Sequence, residues 1–330
     1  MNQMETIVLD DLDRRIIQAL YIDPRAPFSR LADVLGSSEQ TVARRYRRLF
    51  DGHLLRVVGQ LDSQRLGQSD WAARIRCAPG SAPVVATKLA QRADTAWVQL
   101  ISGGTEIFTT IRSRDRQERT PLLLSKLTVG RQIVAVEAYC LLHLFVTESP
   151  PSLGASVLSR DEIEQLRSPP ATRLSPDRST AKMNENDWPL VQALAEDGRA
   201  SYRTLAARTH WHESTVRRRV EELTASGVLF FDLDVPLEVV GINSPALLWM
   251  NVMPARLTEI GQALASRPEI PFVAATTGTT NMLASLVCQD DHSLYEYLTR
   301  EVATLDGITH IETAPVARLV KLHATLTTPA

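Results

Sequence analysis

Apolar positions along the chain alternate between two spacings. In "LDDLDRRIIQALYID", Leu9, Leu12, Ile16 and Leu20 recur every three or four residues, the interval that lines one face of an α-helix. Asp10 or Asp11 stands where it would cap that helix or favour its positive end. "PFSRLADVLG" predicts a second, shorter helix ending at Gly36, and "SSEQTVARRYRRLF" a third, with Ser37 or Ser38 as N-cap. Two short helices joined by a tight turn form the helix-turn-helix pattern. Beyond it the spacing shortens to every second residue. "WAARIRCAP" reads as a strand, "PVVATKLAQR" as a helix, "AWVQLISG" and "EIFTTIRSR" as strands, "QERTPLLLSKL" as a helix and "IVAVEAYCLLHLF" as a long strand. That is the split β-α-β-β-α-β order of a ferredoxin-like unit. Two helices cover one sheet face; the other stays apolar and needs a partner, in the same chain or another.

The whole pattern occurs twice. "QALYIDPRA" from Gln18 matches "QALAEDGRA" from Gln192, an offset of 192 − 18 = 174. "VARRYRRL" from Val42 and "VRRRVEEL" from Val216 keep the same offset. "WVQLISGGTEIFTTI" from Trp97 matches "FVAATTGTTNMLASL" from Phe272 at 272 − 97 = 175. The fold class expected is therefore α+β: two winged helix-turn-helix domains alternating with two ferredoxin-like sensing domains. The expected limits are 1–62 and 183–236 for the helical domains, 63–146 and 237–330 for the sheets. Between them, 147–182 is rich in Pro, Ser and charge, as linkers are. A short helix fits Ser159 to Leu166, capped by Ser159 with Glu162 three later; the linker is otherwise expected only to space the repeats.

On the third helix Val42, Tyr46 and Leu49 form the buried stripe, leaving Gln40, Arg44, Arg47 and Arg48 grouped on the opposite face. A helix fits the major groove, and guanidinium groups suit phosphates and guanine edges. The second copy offers Val216, Val220 and Leu223 inward and Ser214, Thr215, Arg217 and Arg218 outward, followed by the repelling Glu221 and Glu222. With Thr41, these outward residues are the expected contacts to double-stranded DNA, the first copy being the stronger. "DGHLLRVVGQLD" and "SGVLFFDLDVP" look like short β-wings, where His53 and Arg56 are surface residues within reach of phosphate.

Composition narrows the choice. Over 330 residues the formal net charge is −2, which argues against a protein that coats nucleic acid but leaves room for a local basic surface. Cys77, Cys140 and Cys288 are too few and scattered for a disulfide framework or zinc site. His210-Trp211-His212 lacks further ligands nearby and fits a capping or surface role. No catalytic set, phosphate loop, metal site or cofactor is expected. The N-terminus lacks a signal-peptide pattern and no stretch is long and apolar enough to span a membrane, so a cytoplasmic, non-membrane protein is expected.

The order of parts resembles the Lrp/AsnC family, the feast/famine regulators. "LDDLDRRIIQAL…LADVLGSSEQTVARRYRRL" is similar to its opening pattern, and "GGTEIFTTI" to its glycine-led turn. The resemblance covers nearly the whole chain, twice. It implies a transcription regulator, not an enzyme, whose small-molecule effector sits between sensing domains near the turns. Those turns are Ser102, Gly103, Gly104, Thr105 and Glu106, and Thr277, Gly278, Thr279, Thr280 and Asn281. Where the family places Asp three residues after the glycine, this chain has Glu106 and Asn281. A homo-oligomer, dimer or larger, is implied, although two units in one chain can imitate a dimer. The alternative is an enzyme, because siroheme decarboxylases share the two-block architecture; their histidine requirement would fall on His143, His292, His310 or His323.

Overall fold

The computed structural model describes residues 9–112, 131–145, 157–167 and 183–323. The helix expected over "QERTPLLLSKL" and most of the linker lie outside the described residues. In chain order the main elements are α1 (Asp11–Ile22), α2 (Phe28–Leu35), α3 (Glu39–Asp51), β1 (Arg56–Leu61), β2 (Asp70–Cys77), α4 (Ala82–Ala90), β3 (Thr95–Ile101), β4 (Glu106–Arg112), β5 (Ile133–Phe145) and α5 (Arg160–Leu166). There follow α6 (Trp188–Glu196), α7 (Tyr202–Thr209), α8 (Glu213–Ala225), β6 (Leu229–Asp234), β7 (Ser244–Val252), α9 (Leu257–Ala265), β8 (Phe272–Thr276), β9 (Met282–Cys288), α10 (Asp291–Glu296) and β10 (Ile308–Lys321). The architecture is mixed α+β. It divides into two compact units: 1–60, 153–172 and 184–241 in one, 61–152, 173–183 and 242–330 in the other.

In the first unit the repeat is visible atom by atom. The Asp10 side chain accepts from the Asp13 amide, and the Asp13 side chain accepts from the Asp10 amide. Asn184 and Asp187 build the same reciprocal box, 184 − 10 = 174 residues on, at a 3-10 turn ahead of α6. Each box satisfies amides that the helix itself leaves unpaired. α2 stops at Gly36 with φ 63°, and α7 stops at His210 with φ 59° at the matching position. His210 thus sits in a left-handed cap that glycine fills more easily. Val42, Tyr46 and Leu49 are buried, as are Val216, Val220 and Leu223.

The expected β-wings take another form. β1 and β6 pair with each other as one two-stranded sheet, because each offers apolar residues that a lone wing would leave in water. Around that sheet the repeats exchange arginines. Arg25 stacks over Tyr202 and Phe231 at 5.4 and 4.8 Å, and Arg199 over Phe28 and Tyr46 at 4.4 and 5.3 Å. Arg199 also donates to the Pro24 and Ala26 carbonyls, both at 2.8 Å. Arg25 and Arg199 are a 174-offset pair, and so are Phe28 and Tyr202. The contact is therefore a pseudo-two-fold exchange within one chain, with each cation over an aromatic face.

The linker does more than space the repeats. α5 forms where expected, boxed by Ser159 and Glu162. Leu158 and Leu166 are buried with Ile16, Leu20 and Leu31. Glu162 pairs with Arg15, and Arg30 donates to the Gln165 carbonyl at 2.7 Å.

In the second unit eight antiparallel strands close a barrel in the order β10-β3-β4-β2-β5-β8-β9-β7. β5 pairs with β2 along its first part and with β8 through Leu141 to Phe145. β10 likewise pairs with β7 and then, from Val316, with β3. Each repeat's last strand thus crosses into the other's sheet, and closure leaves no unpaired strand edge. The apolar faces that required a partner meet here: Ala72, Phe108, Tyr139, Leu247, Trp249 and Leu283 pack together. α4 covers the outer face of one sheet, and α9 and α10 cover the other. Past Glu296 the α10 segment widens into a π turn over Tyr297–Glu301.

Phe145 from the first repeat lies on Gly261 of α9, its ring carbons 2.3 to 2.5 Å from where a Cβ would stand. Gly261→Ala is expected to lower the unfolding free energy of this unit by about 2 kcal/mol, since the added methyl would meet a buried ring and force the ring or α9 to shift. A urea midpoint unchanged from wild type would contradict this packing.

Candidate nucleic-acid interface and sensing turns

α3 carries four arginines against Glu39 and Asp51, so 4 − 2 = +2; α8 carries three arginines against three glutamates, 3 − 3 = 0. The arginines have different duties. Asp13 is 0% exposed and takes Arg45 at 3.0 Å; it also accepts from Arg48. Arg45 further reaches Asp10 at 2.5 Å. In the second repeat Arg219 holds the buried Asp187 at 2.6 and 2.7 Å. Arg45 and Arg219 match at the repeat offset, 219 − 45 = 174. One arginine in each helix therefore anchors it to a buried carboxylate.

Arg44 and Arg47 are exposed and form no ion pair among the described residues. Gln40 beside them is exposed, and the Thr41 hydroxyl accepts from Ser38 at 2.9 Å. Arg48, expected as a freely presented cation, is instead shared: one amino group holds Asp13 while the side chain remains 45% exposed. In α8, Ser214 is exposed and Thr215 half-buried. Arg217 lies 4.0 Å from Glu213 and over the Tyr202 ring, and Arg218 pairs with Glu222 at 3.1 Å. α3 thus presents two unpaired guanidinium groups, whereas in α8 Arg217 and Arg218 meet glutamates of their own helix, and the position that matches Arg47 is Glu221, 221 − 47 = 174. Arg56 leans over Phe50 at 5.1 Å, and His53 is exposed at a positive φ of 56°.

The two turns of the barrel unit also differ. Gly103 and Gly104 have φ of 68° and 81°, values that side-chain-bearing residues rarely adopt. Glu106, which follows, is buried. It accepts from Arg74 at 2.7 and 2.9 Å, from Arg76 at 3.1 Å and from Ser102 at 2.9 Å. Arg74 bridges on to Glu312 at 2.7 Å and lies 4.8 Å over the Trp249 ring. Thr105 donates its hydroxyl to the Ser102 carbonyl. At the second turn Asn281 clamps the backbone of Val252, accepting from its amide at 2.8 Å and donating to its carbonyl at 2.7 Å. The Thr277 hydroxyl accepts from the Cys140 amide, the Gly278 Cα faces Tyr139, and the Thr280 carbonyl accepts from Thr276. Glu106 and Asn281, the expected polar ends of the turns, are both engaged inside the protein. The sequence reading missed Arg74, Arg76, Tyr139 and Glu312; aligning the repeats at 175 brings them out, because Arg74 faces Trp249 and Tyr139 matches Ala314.

Burial would raise the Glu106 carboxyl, but hydrogen bonds from Arg74, Ser102 and Arg76 outweigh it and hold the group below its usual value. A depressed folded-state pKa gives stability that is present above the unfolded value and lost as pH falls through the folded one. The barrel unit is thus expected to lose stability on acidification below about pH 4.5. Glu106→Gln should flatten that part of the urea-midpoint profile; an identical profile would contradict the assignment.

Comparisons with known proteins follow the same division. The AsnC-type helix-turn-helix domain model matches residues 9–49 and 183–224, and the Lrp/AsnC ligand binding domain model matches 246–326. An uncharacterised HTH-type transcriptional regulator of Pyrococcus horikoshii is 29% identical over 148 residues, 44% of this chain and 93% of that protein. One from Pyrococcus abyssi is 30% identical over 142 residues, 42% of this chain and 89% of that protein. Among solved structures, a siroheme decarboxylase with an iron-uroporphyrin III analogue aligns over 95% of this chain and 93% of its own, with TM-score 0.59 and 14% identity. At that identity the likeness concerns the fold.

Proposed function

The chain belongs to the Lrp/AsnC family of helix-turn-helix transcriptional regulators, and on that footing we propose that one polypeptide reads a two-part DNA operator with two unequal helices. In this reading the chain is a tandem duplication, with helix-turn-helix domains at 1–62 and 183–236 and ferredoxin-like sensing domains at 63–146 and 237–330. Gln40, Thr41, Arg44, Arg47 and the free part of Arg48 form the dominant contact. Ser214, Thr215, Arg217 and Arg218 form the weaker one. Linking two readers raises the effective concentration of the second and suits half-sites spaced by the helical repeat of DNA. Because the helices differ, the operator is an imperfect palindrome.

The observation that carries this reading is the division of labour on α3. Arg45 fixes the helix on Asp13, while Arg44 and Arg47 stay exposed and unpaired among the described residues. Guanidinium groups left free on an anchored helix are suited to phosphates and guanine edges. A small metabolite acting at the turns Ser102–Glu106 and Thr277–Asn281 would bias DNA binding, the coupling that regulation requires. Further assembly of chains and a cytoplasmic location belong to the same reading.

The enzyme reading takes support from the fold likeness to a siroheme decarboxylase. Against it, Arg74 is committed to Glu106 and Glu312. The histidines sit apart: His143 lies on Phe145, His323 on Trp97, and His292 beside Glu296. Genome-wide immunoprecipitation of bound DNA tests the regulator reading: discrete enriched sites sharing an imperfect palindrome support it, and no enrichment refutes it.

A further inference from the structure

The turn between α7 and α8 breaks two local rules that its counterpart keeps. Between α2 and α3 the chain reads Gly36-Ser37-Ser38; at the matching positions, 210 − 36 = 174, it reads His210-Trp211-His212. Gly36 takes the left-handed backbone at φ 63°, and the Ser38 side chain accepts from the Thr41 amide at 3.2 Å. His210 holds nearly the same conformation, φ 59°, with a side chain attached, at a cost that glycine avoids. His212 is the N-cap residue of α8 yet makes no side-chain cap bond, although a serine there would satisfy one of the amides the helix leaves unpaired. The side-chain capping expected of this pair is thus missing at His212.

Both histidines are exposed and make no hydrogen bond or ion pair among the described residues. The turn that carries them is held in place. Trp211 is half-buried, its amide donates to the Thr209 hydroxyl at 3.3 Å, and that buried hydroxyl donates to the Leu205 carbonyl at 2.9 Å. A strained backbone position and an unused cap in a fixed turn are local costs of the kind found where a side chain serves function. The helix that follows lacks what these residues can supply. Arg217 and Arg218 meet Glu213 and Glu222, Arg219 holds Asp187, and the exposed Glu221 stands where α3 has Arg47. In a helix-turn-helix the first helix crosses the DNA backbone and the second begins in the groove, so the turn joining them lies beside phosphates. An imidazole carries an N–H donor in either protonation state, and phosphate oxygens accept.

We propose that His210 and His212 donate to the phosphate backbone at the second half-site, supplying the grip that the self-paired arginines of α8 give only weakly. The inference rests on the two-reader proposal and adds to it the residues by which the weaker reader holds DNA. The first repeat presents Arg44 and Arg47 unpaired among the described residues, keeps glycine and serine in its turn, and needs no such donors.

Restoring the first turn in the second repeat should move stability and DNA binding in opposite directions. His210→Gly combined with His212→Ser, in the full chain, is expected to raise the urea midpoint, because strain is removed and a cap is gained. In hydroxyl-radical footprinting on a selected operator, the same variant should need roughly 5- to 100-fold more protein to half-protect the second half-site, as two hydrogen bonds are lost. The Arg44 and Arg47 half-site should be protected as in wild type. Each single variant is expected to show the same pair of shifts at smaller size, so a folding fault at one position leaves the other readable. Wild-type protection of the second half-site in all three variants would overturn the proposal. So would a lowered urea midpoint, which would mark the histidines as structural. If the wild-type chain protects no second half-site, the two-reader proposal falls and this inference with it. If it protects two and the histidine variants leave both intact, only this inference falls.

Discussion

Replacing Arg44 and Arg47 together by alanine is expected to weaken operator binding roughly 30- to 1,000-fold, as two contacts worth about 1–2 kcal/mol each are lost. The slope of log K against log salt should fall by up to about 1.8, or 0.9 for each phosphate contact removed. Replacing Arg217 with Arg218 in α8 by alanine should cost under about tenfold. Those guanidinium groups already meet Glu213 and Glu222, and a contact to DNA would first have to replace these surface pairs, each worth under about 1 kcal/mol. The adjacent Glu221 is exposed and repels phosphate. Titration of both variants against one duplex, at several salt concentrations, checks the asymmetry. Equal losses would mean that the self-pairing of α8 does not persist on DNA.

Asp13→Ala is expected to destabilise the helical unit by about 3 kcal/mol. The carboxylate is fully buried, holds Arg45 and Arg48, and closes the box on the Asp10 amide at 3.1 Å. Breaking a buried pair by removing one partner typically costs about 3–5 kcal/mol, and losing a cap about 1. The lower end applies because Arg48 is 45% exposed and water can take over its free amino group. Asp187→Ala should act similarly through Arg219. Arg44→Ala, which removes no described pair, should stay within about 0.5 kcal/mol of wild type. Urea unfolding of the three variants separates the anchoring role from the reading role. A large loss in Arg44→Ala would contradict that separation.

Much of this was legible in the chain itself. The offsets of 174 and 175, the stripe Val42-Tyr46-Leu49 and the stop at Gly36 are local signals, written in spacing and in residues suited to one backbone conformation. The box at Ser159 and Glu162 was equally local. What periodicity could not reveal was which strands meet. β1 and β6 look like separate wings because strand pairing across 170 residues leaves no short-range mark. The crossing of β5 and β10 into each other's sheets was hidden for the same reason. Nor could helical angles separate Arg45 and Arg48 from Arg44 and Arg47. That depends on a carboxylate 32 and 35 residues away in α1. The buried state of Glu106 was similarly out of reach, because Arg74 and Glu312 come from distant strands.

The claim that most of this account depends on is that α3 and α8 both enter DNA, unequally. Hydroxyl-radical footprinting of the full chain on an operator selected by it tests this directly. The account predicts two protected half-sites on one duplex, of which the Arg44 and Arg47 half-site persists to higher salt and disappears selectively in the double-alanine variant. Uniform protection without half-sites, or loss of both at the same salt concentration, would contradict it.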